Sequence, residues 1–349
     1  MNGNAGTSRR AVVRGIAGTI GASALGSAAR AQQPAAATDT PRPSSGSPKE
    51  RLLTWLHSLA GNHLISAQQT HSNFSEITAF ISATGKHPGM VVTDYWMDAS
   101  PYFDASGNAA CIAHWNAGGL VGISNFLPNP AGGGAGNGTP VSASAVLTPG
   151  TATHNALLAS LDQSAAALRE FKNRDIPVIY RTLLEMDIPG GFWWGEQNFN
   201  GTQFGQLWRL IHYYLTVTKG LDHLIWMFAV NGGPGTYTYV GDDVVDGVGM
   251  DAYTNTPGSS LYRRLYNKVH SQAPSKFMAL TEFGSGGPGF NEVNPNFDAW
   301  TLVNLVRTTM RNIVYINCWT GWDWSKYRNV AAALSDPYVL NRDNLNRPM

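Results

Sequence analysis

The segment HNALLASLDQSAAALREFKNRDIPVIYR, residues 154–181, contains a helical pattern followed directly by a short apolar strand. Apolar residues recur at intervals of three and four over His154–Arg174, which is typical of a helix with one buried face. The run Pro177–Arg181 is short and rich in apolar and aromatic residues, which is typical of a buried strand. The segment is therefore predicted to form one helix–strand repeat of an α/β fold.

The same alternation continues on both sides of this segment. The strand-like runs are Leu64–Ala67, Met90–Thr93, Leu120–Asn125, Pro177–Arg181, His223–Met227, Val248–Met250, Phe277–Thr281 and Ile313–Asn317. The other helical patterns are Phe74–Thr84, Gln203–Thr218, Ser259–Ser271 and Asn296–Arg311. Eight strands separated by helices predict a single-domain (β/α)8 TIM barrel. A doubly wound open sheet is the alternative, but no Gly-x-Gly-x-x-Gly motif follows the first strand.

The N-terminal region is predicted to lie outside the folded domain. Arg9 and Arg10 begin a twin-arginine pattern, an Ala/Gly-rich run follows, and Ala29-Arg30-Ala31 resembles a cleavage site. Residues 1–31 are therefore predicted to be a twin-arginine signal peptide that directs export to the periplasm or the medium of a bacterium. Residues 32–48, rich in Pro, Ala, Ser and Thr, are predicted to be a disordered linker, which leaves 49–349 for the catalytic barrel.

The composition of the chain favours a neutral polysaccharide as its binding partner over nucleic acid or a membrane. The net charge is +1, so no basic field for nucleic acid is expected, and no second apolar run is long enough to span a membrane. Charged residues make up 13% of the chain whereas Trp occurs 11 times, which suits a neutral polysaccharide. No metal, no cofactor and a monomer are expected. Cys111 and Cys318 are predicted to be buried free thiols, with one disulfide as the alternative.

Two glutamates form the candidate catalytic pair. Glu185 follows the fourth predicted strand and Glu282 ends the seventh, 97 residues later. Three βα units of a barrel occupy roughly 93 residues, so the spacing places both side chains at one mouth. Glycoside hydrolysis with retention needs two carboxyl groups about 5–5.5 Å apart. Glu185 is predicted to be the acid/base, because the Trp193-Trp194 loop would desolvate it, and Glu282 the nucleophile.

Several motifs occur in the order found in a known family. They are Arg181-Thr-Leu-Leu-Glu185-Met-Asp187, Gly191-Phe-Trp-Trp-Gly195, Tyr239-Val-Gly-Asp242-Asp243-Val-Val-Asp246, Gly249-Met-Asp251-Ala-Tyr253 and Ala279-Leu-Thr-Glu282-Phe-Gly284. From about Gly61 to Trp324 the chain resembles glycoside hydrolase family 26, whose known members are largely β-mannanases. The resemblance implies a retaining barrel enzyme for a β-linked polysaccharide, in which Tyr253 hydrogen-bonds the nucleophile. The family usually has a histidine where this chain has Leu184.

Other side chains are weighed by their position near predicted strand ends. Arg181 is predicted to keep Glu282 ionised, an interior salt bridge being the alternative. His71 is interpreted either as part of the cleft wall or as an ordinary loop residue, with equal weight. Asn231 is interpreted either as a turn residue or as a sugar contact. The candidate sugar platforms are Trp96, Trp193, Trp194, Trp319, Trp322 and Trp324, with Trp194 and Trp319 preferred. The tryptophans assigned to packing are Trp55, Trp208 and Trp300.

These observations predict endo-hydrolysis of a β-mannan-type polysaccharide by double displacement. Leu184 motivates an alternative from a different class, a non-catalytic carbohydrate-binding barrel. A glycosidase acting on a xylan, a glucan or a bacterial exopolysaccharide is a further alternative.

Overall fold

The computed structural model describes residues 46–71, 74–96, 105–136, 138–232, 237–286 and 293–348. The predicted signal peptide, 1–31, and most of the predicted linker, 32–48, lie outside these ranges. At the end of that linker, Ser47 caps the first helix, and its side chain accepts a hydrogen bond from the backbone N–H of Glu50. Pro48 is therefore already helical, because proline fits the first turn of a helix.

Strands and helices alternate along the rest of the chain. The strands are β1 Leu64–Thr70, β2 Met90–Tyr95, β3 Leu120–Asn125, β4 Val178–Thr182, β5 Leu224–Val230, β6 Gly247–Tyr253, β7 Phe277–Gly284, β8 Ile313–Cys318 and β9 Val339–Leu340. The α-helices are α1 Pro48–Leu59, α2 Ser75–Thr84, α3 Ala105–Asn116, α4 Ala143–Leu147, α5 Ala152–Lys172, α6 Gly201–Tyr213, α7 Ser260–Gln272, α8 Ala299–Thr309 and α9 Val330–Ser335. A π-helical turn, Tyr214–Thr218, extends α6.

The first eight strands close into a parallel barrel. Each strand pairs with the next, and β1 pairs with both β2 and β8, which removes the free edges an open sheet would have. The short strand β9 joins the beginning of β1, where Leu64 pairs with Val339. The predicted TIM barrel is confirmed, and the open-sheet alternative is wrong.

Two helices near the start of the barrel were missed by the sequence analysis. The helix α1 follows the linker directly, and α3 spreads its apolar residues over several faces, so its pattern shows little periodicity. Between β5 and β6 the structure describes no helix over residues 231–232 and 237–246. That connection instead brings loop backbone close to the end of β4.

The interior changes character along the barrel. Apolar residues fill the space between the strands and the surrounding helices. At the carboxyl ends of the strands, buried polar side chains replace them: Gln69, Asp94, Asn125, Arg181, Asp251, Glu282 and Asn317. Buried polar groups are costly unless they are paired. Their concentration at one end marks that mouth as the candidate site.

Cys111 in α3 and Cys318 at the end of β8 are both free and buried, as the sequence analysis predicted. Burial raises the pKa of the Cys111 thiol to about 12, so that thiol is protonated at neutral pH. In the described part of the chain, no helix has both the length and the apolar character to cross a bilayer.

Candidate active site

The two predicted catalytic glutamates meet at the polar mouth of the barrel. Glu185 lies three residues beyond the end of β4, Glu282 lies within β7, and both are fully buried. Oxygens of Glu185, Glu282 and a third carboxylate, Asp251 of β6, lie within 4.8 Å of one another. Residues 97 positions apart in sequence are thus neighbours in space.

Strand register places Asp251 beside Glu282. The pairing of β6 with β7 slips by one residue between Met250 and Asp251, so that Asp251 is opposite Glu282 and Tyr253 is opposite Gly284. The Tyr253 hydroxyl then donates a hydrogen bond to Oε2 of Glu282. Without this irregularity the Tyr253 and Glu282 side chains would have a different alignment along the two strands.

Arg181 joins the two neighbouring carboxylates. Its Nη1 donates to both oxygens of Asp251 at 2.9 and 3.0 Å, and its Nη2 donates to Oε1 of Glu282. The hydroxyl oxygen of Ser124 accepts from Nη2 at 3.0 Å. Arg181 is 4% exposed, so these contacts replace nearly all of its hydration. Its guanidinium thus bridges Asp251 and Glu282.

Burial and neighbouring charges shift the pKa values of Arg181 and Asp251. Burial opposes the charge on Arg181, but Glu282 and Asp251 outweigh burial and raise its pKa further. Burial, and then the charge of Glu282, hold the pKa of Asp251 well above its usual value although Arg181 lowers it. Burial and the charge of Glu282 therefore favour the protonated form of Asp251.

The Glu185 segment has an unusual backbone. Leu183 and Glu185 have positive φ angles of 47° and 52°. For non-glycine residues such angles cost about 1–3 kcal/mol each, and the surrounding structure must hold them in place. The Glu185 N–H donates to the carbonyl of Ala229 at 3.0 Å, which attaches the segment to β5.

The loop after β5 contacts the predicted acid. Asn231 Nδ2 donates to Oε1 of Glu185 at 2.5 Å. The two carboxylate oxygens of Asp187 accept the backbone N–H groups of Asn231 and Gly232, each at 2.8 Å. Burial raises the pKa of Asp187, although these two N–H groups lower it. The sequence analysis assigned no role to Asp187, and it did not foresee the contact of Asn231 with Glu185.

The chain is similar to known glycoside hydrolases over nearly its whole folded domain. The family model described as glycosyl hydrolase family 26 matches residues 41–344. The chain belongs to this family. It is therefore an O-glycosyl hydrolase, as the motifs predicted.

Its relatives include a mannan endo-1,4-beta-mannosidase of Bacillus subtilis strain 168. That protein is 29% identical over 348 residues, covering 92% of this chain and 93% of the relative. A second mannan endo-1,4-beta-mannosidase of Bacillus subtilis is 30% identical over 256 residues, 68% of each chain. The solved structure of a Bacillus subtilis mannanase has a TM-score of 0.74 at 28% identity, covering 86% of this chain and 94% of that one.

The aromatic loop of this family 26 enzyme, residues 191–195, packs against the segment that carries Glu185. Trp193 and Trp194 have no exposed surface, and their Nε1 atoms donate to the carbonyls of Leu127 and Leu184, each at 2.8 Å. Neither ring has a face open to a ligand, so we reassign both from the predicted substrate contacts to the supporting wall. Phe192 stacks on Trp194 at 4.7 Å and remains partly exposed.

Two further tryptophans that were predicted to bind sugar, Trp96 and Trp324, are also buried. Trp96 is 5% exposed and donates to Ser164 Oγ at 3.0 Å, while Trp324 is 0% exposed and donates to the carbonyl of Ala67 at 2.8 Å. Both are reassigned to packing. Each indole N–H needs a partner once it is buried, and here the partner is protein.

Trp319 and Trp322, after β8, are the predicted platforms that keep exposed surface. Trp322 packs at 5.6 Å against the ring of Tyr253, and Trp319 packs edge-on at 5.9 Å against Phe126. Both therefore lie close to groups at the mouth. Of the tryptophans assigned to packing, Trp55 and Trp208 are buried, but Trp300 on α8 is 36% exposed, so that prediction is wrong for Trp300.

His71 lies at the end of β1 on the same mouth. Its Nδ1 is 3.5 Å from Oδ2 of Asp94, at the end of β2. The contact with Asp94 raises the pKa of His71, and burial raises that of Asp94. Gln69 donates to Asp94 and accepts from Asn317 Nδ2 at 2.8 Å. His71 thus belongs to a polar chain across β8, β1 and β2, which favours the cleft-wall interpretation.

The Arg181 cluster generates a stability prediction. Arg181→Met leaves Asp251 and Glu282 buried without their cation, which should lower the free energy of unfolding by about 3–5 kcal/mol. Arg209 makes a comparable pair with Asp243, but at the surface. Arg209→Met should therefore change it by no more than about 1 kcal/mol. Urea unfolding of both variants measures the difference, and equal losses would contradict the account.

Proposed function

We propose that this family 26 enzyme is a retaining endo-β-mannanase in which Glu185 is the acid/base and Glu282 the nucleophile. The observation that carries the proposal is the proximity of the two buried carboxyl groups, whose oxygens lie within 4.8 Å. Retaining enzymes need a separation of about 5–5.5 Å, whereas inverting enzymes need about 6.5–9.5 Å to admit a water molecule. The spacing supports direct attack by one carboxylate.

In the first step, a Glu282 oxygen attacks the anomeric carbon as the glycosidic C–O bond breaks. Glu185 transfers its proton to the departing sugar oxygen, so the leaving group departs as a neutral alcohol. Arg181 and Tyr253 hold the two oxygens of Glu282 and fix the direction of attack. When esterification removes the charge of Glu282, it also removes one of the two main causes that raise the pKa of Asp251, so Asp251 can ionise beside Arg181.

In the second step, Glu185 accepts a proton from water. The oxygen of that water bonds to the anomeric carbon and the ester bond to Glu282 breaks. Glu282 regains its negative charge beside Arg181, and Glu185 is protonated again. Two displacements at one carbon restore the original β configuration.

We propose mannan as the substrate class because the relatives with the family 26 barrel carry that activity in their names. The partly exposed rings of Trp319 and Trp322, which contact Phe126 and Tyr253, suit the apolar faces of neutral pyranose units. One observation favours the alternative function, a barrel that binds carbohydrate without cleaving it. The residue directly before Glu185, Leu184, is apolar and fully buried.

The catalytic assignment predicts different losses for the two glutamates. Glu185→Ala should lower kcat/KM for mannan oligosaccharides by about 10²–10⁴-fold. It should leave kcat/KM for dinitrophenyl glycosides nearly unchanged, because dinitrophenolate departs without a proton. Glu282→Ala should abolish turnover of both, because no nucleophile remains. Proton NMR of the wild-type reaction should show the β anomer first. An initial α anomer, or wild-type rates in both variants, would contradict the mechanism.

The substrate assignment is tested with a panel of polysaccharides. Purified enzyme should release reducing ends from mannan and glucomannan faster than from mixed-linkage glucan or xylan, with internal cleavage seen as an early fall in viscosity. Preference for glucan or xylan would overturn the mannan proposal alone. Binding to mannan without any cleavage, measured by calorimetry on the same preparation, would favour the non-catalytic rival.

We also propose that residues 1–31 direct export through the twin-arginine route. Arg9→Lys/Arg10→Lys should leave precursor in the cytoplasm of a bacterium that has this route, because the pair itself is recognised. Arg14→Lys, outside the pair, is the matched control and should export normally. Mass spectrometry of exported protein should find Gln32 at the N-terminus. Undiminished export of the double variant would refute the route.

A further inference from the structure

Asp187 is a buried carboxylate of unusual surroundings. It has no exposed surface, and in the described part of the chain no Lys, Arg or His forms an ion pair with it. A buried charge without a cation is costly. Its partners are two backbone N–H groups of the loop after β5. A side chain kept at this cost is a candidate for a role other than stability.

We infer that Asp187 is a positioning residue for Glu185 that acts through Asn231. The inference rests on the proposed function, because it assumes that Glu185 is the acid/base. Asp187 does not touch the predicted reacting atoms itself. It fixes the backbone of the residue whose side chain does.

Asp187 holds the backbone of residues 231 and 232. Oδ1 of Asp187 accepts from Asn231 N and Oδ2 accepts from Gly232 N, both at 2.8 Å. Gly232 has a φ of 75°, and a Cβ atom there would lie 1.8 Å from Leu265 Cδ2. A side chain at residue 232 would therefore be strained and would clash, which favours glycine there. A carboxylate, with an acceptor on each oxygen, satisfies the N–H groups of residues 231 and 232 at once.

The side-chain amide of Asn231 contacts Glu185. Its Nδ2 donates to Oε1 of Glu185 at 2.5 Å. The unprotonated oxygen of a carboxylic acid is the better acceptor, so this contact favours the acidic proton on Oε2. The backbone N–H of Glu185 is bonded to Ala229, two residues before Asn231. Both the main chain and the side chain of Glu185 are thus positioned by the end of β5.

A purely structural clamp predicts something different. If Asp187 only stabilised the loop, its loss would lower the rates of all substrates in the same proportion. If it orients the acid, its loss should depend on the leaving group. A sugar hydroxyl needs the proton from Glu185, whereas dinitrophenolate departs without it.

The test compares kcat/KM for mannotetraose and for a 2,4-dinitrophenyl β-mannobioside. Asp187→Asn keeps the size but turns an amide N–H towards one of the loop N–H groups. Asn231→Ala removes the contact with Glu185. Each should lower kcat/KM for mannotetraose by about 10- to 100-fold and that for the dinitrophenyl substrate by less than about 3-fold. The double variant should resemble the worse single variant, because both changes remove one interaction.

Asn129→Ala is the matched control. Asn129 also anchors a mouth loop, donating to Thr139 O at 2.7 Å and accepting from Ala131 N at 2.9 Å. It should show no leaving-group dependence. Urea unfolding measures whether each variant is folded. If Asp187→Asn does not fold, Asn231→Ala still tests the proposal, because the Asn231 side chain is only half-buried.

Equal losses on both substrates, or no loss on either, would overturn the positioning role. Additive losses in the double variant would show that Asp187 does not act through Asn231. Glu185→Ala, measured in parallel, separates this proposal from the proposed function. If Glu185→Ala depends on the leaving group and Asp187→Asn does not, the positioning role alone fails. If Glu185→Ala shows no such dependence, the acid/base assignment fails first.

Discussion

The contact of Arg181 with Asp251 and Glu282 is the interaction on which the mouth of the barrel depends. One buried guanidinium contacts two fully buried carboxyl groups, and the Tyr253 hydroxyl donates to the other oxygen of Glu282. Such a cluster is stable only while every charge keeps a partner. In the proposed double displacement, Asp251 keeps its hydrogen bonds with Arg181 when Glu282 becomes an ester.

The two sides of the site are held by different means. Glu282 lies within a regular strand, where the register of β6 and β7 and the slip at Asp251 set its neighbours. Glu185 lies beyond a strand, on a backbone with two positive φ angles, and its position comes from contacts with the end of β5. The proposed nucleophile thus lies in a regular strand, whereas the proposed acid depends on a loop, whose backbone N–H groups Asp187 accepts.

The sequence was sufficient for the barrel and for the glutamate pair, because both follow from regular spacing along the chain. Periodicity located all eight barrel strands, and strand order then placed Glu185 and Glu282 at one mouth. It did not reveal which tryptophans are exposed: Trp193 and Trp194 are covered by loops whose path the local pattern does not encode. Nor did it reveal the pairing of Asp187 with Asn231 and Gly232, 44 and 45 residues further along. Contacts between loops of that separation have no periodic signal.

The central claim is that Glu282 forms a covalent bond to sugar, and trapping tests it most directly. A 2-deoxy-2-fluoro β-mannosyl donor with a dinitrophenolate leaving group should glycosylate the enzyme and stall at that stage, because the fluorine slows hydrolysis of the glycosyl ester. Peptide mass mapping should then find one added sugar on the peptide containing Glu282. An adduct on Glu185 or Asp251, or no adduct while the enzyme turns over mannan, would contradict the account.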